Sequence, residues 1–194
     1  MSAIGGSVVL AVLGGFVALL VLLAIMLVVI YNGLVGKRLQ VRSAWAQIDV
    51  QLKRRYDLIP NLVETVKGYA GHEKGTLERV IQARNAAVSA SGAAESGKAE
   101  GVLGGALRQM FALSEAYPEL KANENFRQLS DELSSTENKV SFSRQHYNNC
   151  VEIYNTSIAT FPTVLFAGLF GFREEEFFEV SSEAERTAPR VQFT

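Results

Sequence analysis

Few residues in this chain have the types and spacing that chemistry needs. His72-Glu73 begins the helical zinc-protease pattern, in which two histidines four apart hold the metal and the glutamate after the first acts as base. Position 76, where the second histidine belongs, is Thr. His146, the other histidine, stands alone near Arg144, and Cys150 is the single cysteine, so no ligand cluster and no intrachain disulfide can form. The chain has no glycine-rich phosphate loop with a following Lys, no G-x-S-x-G and no glycine fingerprint between strand and helix. Glu174, Glu175 and Glu176 form a charge run that reads as a solvated face. The expectation is a protein that is not an enzyme, with no cofactor, no metal and no small-molecule substrate.

The chain does carry polar side chains at helical spacing. Trp45, Asp49, Arg55, Asp57, Arg84, Glu137, Asn138, Arg144, Tyr147, Asn148 and Asn155 are expected to form interhelical ion pairs and hydrogen bonds, or an interface with another protein. Tyr147-Asn148 and Tyr154-Asn155 repeat seven residues apart. Polar residues on a helical seam commonly fix the register between neighbours.

These groups need elements to position them, and the first is apolar. Met1 to Gly36 has no charged side chain, and residues 8–30 are almost all Val, Leu, Ile and Ala. Such a helix is roughly 35 Å long, enough to cross a hydrocarbon core of about 30 Å. A cleaved signal would need a basic start and a small-residue exit, and neither is present. Residues 1–7 read as a short exposed N-terminus. Ser7, Ala11, Gly14, Gly15 and Ala18 form a small-residue face suited to helix association in lipid.

Net charge over 194 residues is −1, so no global field points to nucleic acid, but the charge is uneven. Lys37, Arg38, Arg42, Lys53, Arg54 and Arg55 against Asp49 make +5 after the span. Because these cations all follow the span, the positive-inside rule puts the N-terminus outside and residues 37–194 in the cytoplasm. The same cations form a basic patch attractive to anionic lipid.

Leu34, Val41, Trp45, Ile48, Leu52 and Ile59 continue as a heptad seam of coiled-coil type, in which Arg38 and Arg55 are expected to snorkel or pair with a carboxylate. Pro60 either starts a second helix or kinks one long one. Helical spacing resumes from Leu62 to about Val88. Residues 89–105 are small and glycine-rich, and a flexible linker is expected over about 89–101. A short amphipathic stretch follows over 102–114, then a long helix from Pro118 to about Thr160, whose Thr136 and Ser143 need hydrogen bonds from neighbours.

Residues 161–172 are a second apolar run, with Phe161, Phe166, Phe170 and Phe172, too short to span a bilayer. The expectation is burial within the protein, with a neighbouring subunit and the membrane interface as alternatives. A docked turn and then a loose tail over 179–194 end the chain.

Several separated motifs resemble the LemA family. They are Tyr31-Asn32-Gly33-Leu34-Val35, the stretch Ala44-Trp45 through Arg54-Arg55, Asp57-Leu58-Ile59-Pro60-Asn61-Leu62-Val63, Val66 to Ala70 with His72-Glu73, Tyr117-Pro118 through Ala122, Glu137-Asn138 and Tyr147-Asn148. The resemblance implies a membrane-anchored all-helical domain and supplies no catalytic residues. It further implies relatives in magnetosome membranes, and relatives encoded beside membrane zinc metalloproteases of the HtpX type. Similar lipoproteins carry a lipid-modified cysteine where this chain has Ile30, so the cytoplasmic orientation is retained.

The combined expectation is an all-α protein, with a transmembrane helix at 8–30 and an antiparallel bundle of three to four long helices at 31–178. It is expected in the bacterial inner membrane as a self-associating scaffold or adaptor. Its expected partners are membrane lipid and further copies of itself, with the alternative of a membrane protease or other envelope protein, which it would serve as a regulatory or adaptor subunit. A third reading is an oligomeric membrane-shaping protein.

Overall fold

The computed structural model describes residues 2–180, with side chains for residue 10 and residues 12–180. Its helices are α1 (Ser2–Ala70), α2 (Lys74–Ser89), α3 (Ala93–Ser114), α4 (Pro118–Ala122), α5 (Glu124–Ala159) and α6 (Val164–Ala167). Among the described residues there is no strand.

The first helix starts at Ser2, so residues 2–7 are helical rather than a separate N-terminal segment. No proline interrupts Ser2 to Val8, and each added residue closes one more hydrogen bond on an existing helix. In the apolar part, the most apolar eighteen-residue window has a mean hydropathy of 3.1 and none of it is buried. This is the form of a single-pass membrane anchor.

Pro60 lies inside α1 and does not end it. A proline at this position leaves the carbonyl four residues earlier, that of Tyr56, without its helical donor. Arg84 of α2 supplies one instead, its Nε donating to the Tyr56 carbonyl at 3.3 Å. A neighbouring helix thus repairs the ladder, and α1 continues to Ala70.

Residues 93–101 also depart from expectation, because they are the first turns of α3 and not a flexible linker. Only residues 90–92 connect α2 to α3, with Gly92 at φ 83 making the reversal that a side chain would strain. Ala93, Ser96, Gly97, Glu100, Leu103, Leu107 and Met110 are buried along one helical face. Small residues there permit close approach, which outweighs their weak helix propensity.

Asn123 separates α4 from α5. Its Oδ1 caps α5 by accepting from the Phe126 N–H at 2.9 Å, and its Nδ2 donates to the Tyr69 hydroxyl at 2.9 Å. Thr136 is buried, but its hydroxyl donates to the Glu132 carbonyl of its own helix at 2.7 Å and draws nothing from a neighbour.

The chain divides into two compact units. One comprises Met1–Val41 and Glu152–Glu174; the other comprises Arg42–Val151 with Glu175 and the described residues after it. In the second, α1 and α5 run antiparallel, since Tyr69 meets Asn123, Arg55 meets Glu137 and Trp45 meets Tyr147. Ile48, Leu52 and Ile59 of the seam, and Leu62 and Val66 beyond it, are buried in this unit, as are Leu103, Met110, Leu133, Val140 and Val151.

Candidate functional site

The Arg42–Val151 unit is built around a buried charge. Arg55 occupies a seam position of α1 and is 5% exposed; Glu100 of α3 is 3% exposed. Arg55 Nη1 donates to Glu100 Oε2 at 2.7 Å, and the Tyr56 hydroxyl donates to Glu100 Oε1 at 2.7 Å. Both carboxylate oxygens are therefore held. Arg55 Nη2 also lies 3.7 Å from Glu137 Oε2 of α5, so one guanidinium joins three helices. Burial, and then the adjacent Glu100 carboxylate, push the Tyr56 hydroxyl well above the ordinary phenol range, keeping it a neutral donor. Arg55 Nε is buried without a hydrogen-bond partner.

Arg55, Glu100 and Glu137 line a cleft of about 120 Å³, together with Arg108, Ser141 and Arg144. The three arginines and two glutamates leave it one positive charge in excess. Arg55 accounts for the carboxylates, whereas Arg108 and Arg144 make no ion pair among the described residues. Two guanidiniums with no carboxylate partner among the described residues suit a carboxylate or phosphate presented to the cleft.

Beside this cleft, the extended residues after α6 are held down by the Tyr147-Asn148 pair. Asn148 Nδ2 donates to the Phe178 carbonyl at 3.1 Å, and its Oδ1 accepts from the Phe178 N–H at 2.9 Å. The Tyr147 hydroxyl donates to the Glu176 carbonyl at 2.8 Å. Phe178 is fully buried, with its ring 6.0 Å from that of Trp45, which lies 5.4 Å from the Tyr147 ring. A Cβ at Gly97 of α3 would overlap the backbone of Glu179, so α3 needs glycine where this segment crosses. Burial, and then Glu175 and Glu176, push the Tyr147 hydroxyl up to about 12.

The chain can now be set beside known proteins. Residues 44–193 match the sequence model of the LemA family. The chain belongs to the LemA family. The protein LemA of Metamycoplasma hominis is 28% identical over 159 residues, covering 80% of this chain and 71% of that protein. The magnetosome protein MamQ of Magnetospirillum gryphiswaldense is 23% identical over 174 residues, covering 76% of this chain and 64% of MamQ. The magnetosome protein MamQ 2 of Paramagnetospirillum magneticum is 23% identical over 175 residues, covering 77% and 64%. The chain thus spans less than two thirds of either MamQ protein.

In this LemA-family fold the polar residues singled out from sequence sort into two groups. Arg55, Glu137 and Arg144 meet at the cleft, and Trp45, Tyr147 and Asn148 meet at the clamp. Arg84 makes an interhelical hydrogen bond, from α2 to the Tyr56 carbonyl of α1. Asp49, Asp57 and Asn138 are exposed, and Asn155 belongs to the unit with the anchor.

The six cations do not make one basic patch. Arg55 is in the core, Arg54 is exposed 4.0 Å from Glu132, and Lys37, in the anchor's unit, donates to Ser157 Oγ at 2.5 Å. Arg42 and Lys53 are exposed, and Arg38 is half-buried. A cation at a seam position points inward, which is why Arg55 leaves the surface. Of the small-residue face, Gly14, Gly15 and Ala18 are exposed, while the side chains of Ser7 and Ala11 lie outside the described residues. The tail over 181–194 also lies outside them.

Sequence reasoning missed Glu100, because it falls in a stretch whose composition resembles a linker. The signal was the three- and four-residue spacing of Ala93, Ser96, Glu100, Leu103, Leu107 and Met110.

Proposed function

We propose that this protein is a non-enzymatic scaffold or adaptor of the LemA type, anchored in the bacterial cytoplasmic membrane with its bundle in the cytoplasm. One observation carries the reading: a single helix, Ser2–Ala70, contains both the apolar anchor and the Arg55 node. An anchor carried on the same helix as a packed ion-pair node suits a protein that holds others at a membrane. The cations Lys37, Arg38 and Arg42 directly after the apolar run support the cytoplasmic orientation.

Self-association is part of the proposal and rests on Gly14, Gly15 and Ala18, which leave open one side of the anchor. Mass photometry of the detergent-purified protein at micromolar concentration is expected to show oligomers. Monomer alone would remove self-association from the reading. Gly14→Leu with Gly15→Leu is expected to shift the population to smaller species.

The second reading is a regulatory or adaptor subunit of an envelope enzyme such as an HtpX-type membrane protease, which would make that enzyme its main partner. It is favoured by the cleft, where Arg108 and Arg144 stand ready for an acidic group. Affinity purification from native membranes distinguishes the two readings. One dominant partner, lost in Arg108→Glu/Arg144→Glu without unfolding, supports the adaptor; recovery of this chain alone supports the scaffold.

A further inference from the structure

The apolar run at 161–172 is not buried as a block. Phe161 is 79% exposed and Leu169 is 82% exposed, with Val164, Leu165 and Phe170 also turned to the outside. Only Ala167 and Phe172 of this run are buried. In water such a cluster is unfavourable, and it must have an occupant.

The occupant is indicated by what the cluster is attached to. Tyr31 follows directly on the last residue of the apolar run at 8–30, where an aromatic side chain sits at headgroup level. The Tyr31 ring lies 5.4 Å from that of Phe170 and 5.7 Å from that of Phe172, both edge-on. The turn therefore stands against the end of the membrane anchor, within the same compact unit. No charged residue lies between Glu152 and Arg173, so nothing opposes its entry into the interface.

The backbone is also prepared for a low-dielectric medium, in which an unpaired peptide group costs several kcal/mol. The N–H groups of Val164, Leu165, Phe166, Ala167, Phe170, Gly171 and Phe172 all donate to carbonyls within residues 160–168. Gly171, at φ 73, closes the turn.

We propose that residues 161–171 form a second membrane contact, a short apolar wedge that lies in the bilayer interface beside the exit of the anchor. It is too short to cross, so it lies among headgroups and upper acyl chains. The unit with the anchor then meets lipid at two places, which fixes its tilt and rotation as one span alone does not. This rests on the span crossing a bilayer.

Spin labels on the full-length Cys150→Ser protein, reconstituted in phosphatidylcholine–phosphatidylglycerol vesicles, test the wedge. Labels are placed singly by Leu165→Cys, Leu169→Cys, Leu20→Cys in the span and Ser134→Cys on α5. Collision with oxygen is compared with collision with a water-soluble nickel chelate. The labels at 165 and 169 are expected to shift toward oxygen as the Leu20 label does, while the Ser134 label stays with nickel. A nickel-dominated signal at 165 and 169 with an oxygen-dominated Leu20 overturns the wedge and leaves the anchor standing. Low collision with both agents, with dipolar broadening between chains, overturns it in favour of a second copy. A nickel-dominated Leu20 label removes the anchor and the wedge together.

Discussion

The two units of this molecule use opposite chemistry. The Arg42–Val151 unit buries a charge, with Arg55 and Glu100 held between helices, and exposes mostly polar side chains. The unit with the anchor exposes apolar ones, from Leu10 to Val29 and again from Phe161 to Phe170. The same physical rule governs both: each group needs a medium or partner that satisfies it. Arg55 has its partner inside the protein. The exposed leucines are left uncovered by the described residues, and that contrast separates a fold that satisfies its own groups from an apolar surface left open.

The sharpest way to break the comparison is to remove the partner of the buried charge. Glu100→Gln leaves Arg55 buried without its carboxylate and is expected to destabilise the bundle by about 3–5 kcal/mol in chemical denaturation. Replacing both partners by Glu100→Leu and Arg55→Met is expected to recover most of that loss, because the charge and its counterion leave together. A small effect of Glu100→Gln alone would mean that Arg55 reaches water, and the contrast between the units would fail.

Next in size is the clamp on the extended segment. Asn148→Ala deletes both hydrogen bonds to the Phe178 backbone and is expected to cost about 2 kcal/mol, at roughly 1 kcal/mol for each bond. Limited proteolysis is expected to cut this variant near Glu176 faster than the parent. Unchanged proteolysis would show that the Phe178 ring and Gly97 hold the segment without Asn148.

What the sequence made legible follows the same division. The anchor and the seam from Leu34 to Ile59 were readable because their periodicity is carried by large apolar side chains. Arg55 was readable as a seam cation in need of a carboxylate. Its partner was not, since Glu100 sits among Gly, Ala and Ser, where the small side chains that let α3 approach the Glu179 backbone also mimic a linker. The passage of α1 through Pro60 was equally hidden, because the donor that repairs it, Arg84, is remote in sequence. The exposure of residues 161–170 could not be read locally either, since apolar composition is the same whether a run meets protein or lipid.

The pH response sharpens the bundle side of the contrast. The Tyr147 hydroxyl is raised from the ordinary 10.0 to about 12, so the fold favours its neutral form. Its contribution is fully present below pH ~10 and is lost as pH rises from there through about 12, at up to ~1.4 kcal/mol per pH unit. The stability difference between parent and Tyr147→Phe is therefore expected to be flat below that window and to shrink within it. A flat difference throughout would place the Tyr147 hydroxyl in water.

A smaller effect is expected where one helix repairs another. Arg84→Met removes the donor to the Tyr56 carbonyl and is expected to cost about 1 kcal/mol. In the Pro60→Ala background, where residue 60 has its own N–H, the same change is expected to cost less. The coupling from that double-mutant cycle measures the repair directly. Equal costs in both backgrounds would assign Arg84 to packing alone.

The smallest effect tests the other unit. If Leu169 faces lipid, its side chain contributes almost nothing to folding of the bundle, and Leu169→Ser is expected to change denaturant stability in detergent by less than ~0.5 kcal/mol. The same variant is expected to lose collision with oxygen at a neighbouring label in vesicles. An exposed leucine that matters to the membrane and not to the fold is what separates the two units. A loss of about 2 kcal/mol or more, the usual cost of emptying a core leucine site, would instead put Leu169 in a protein core and dissolve the distinction.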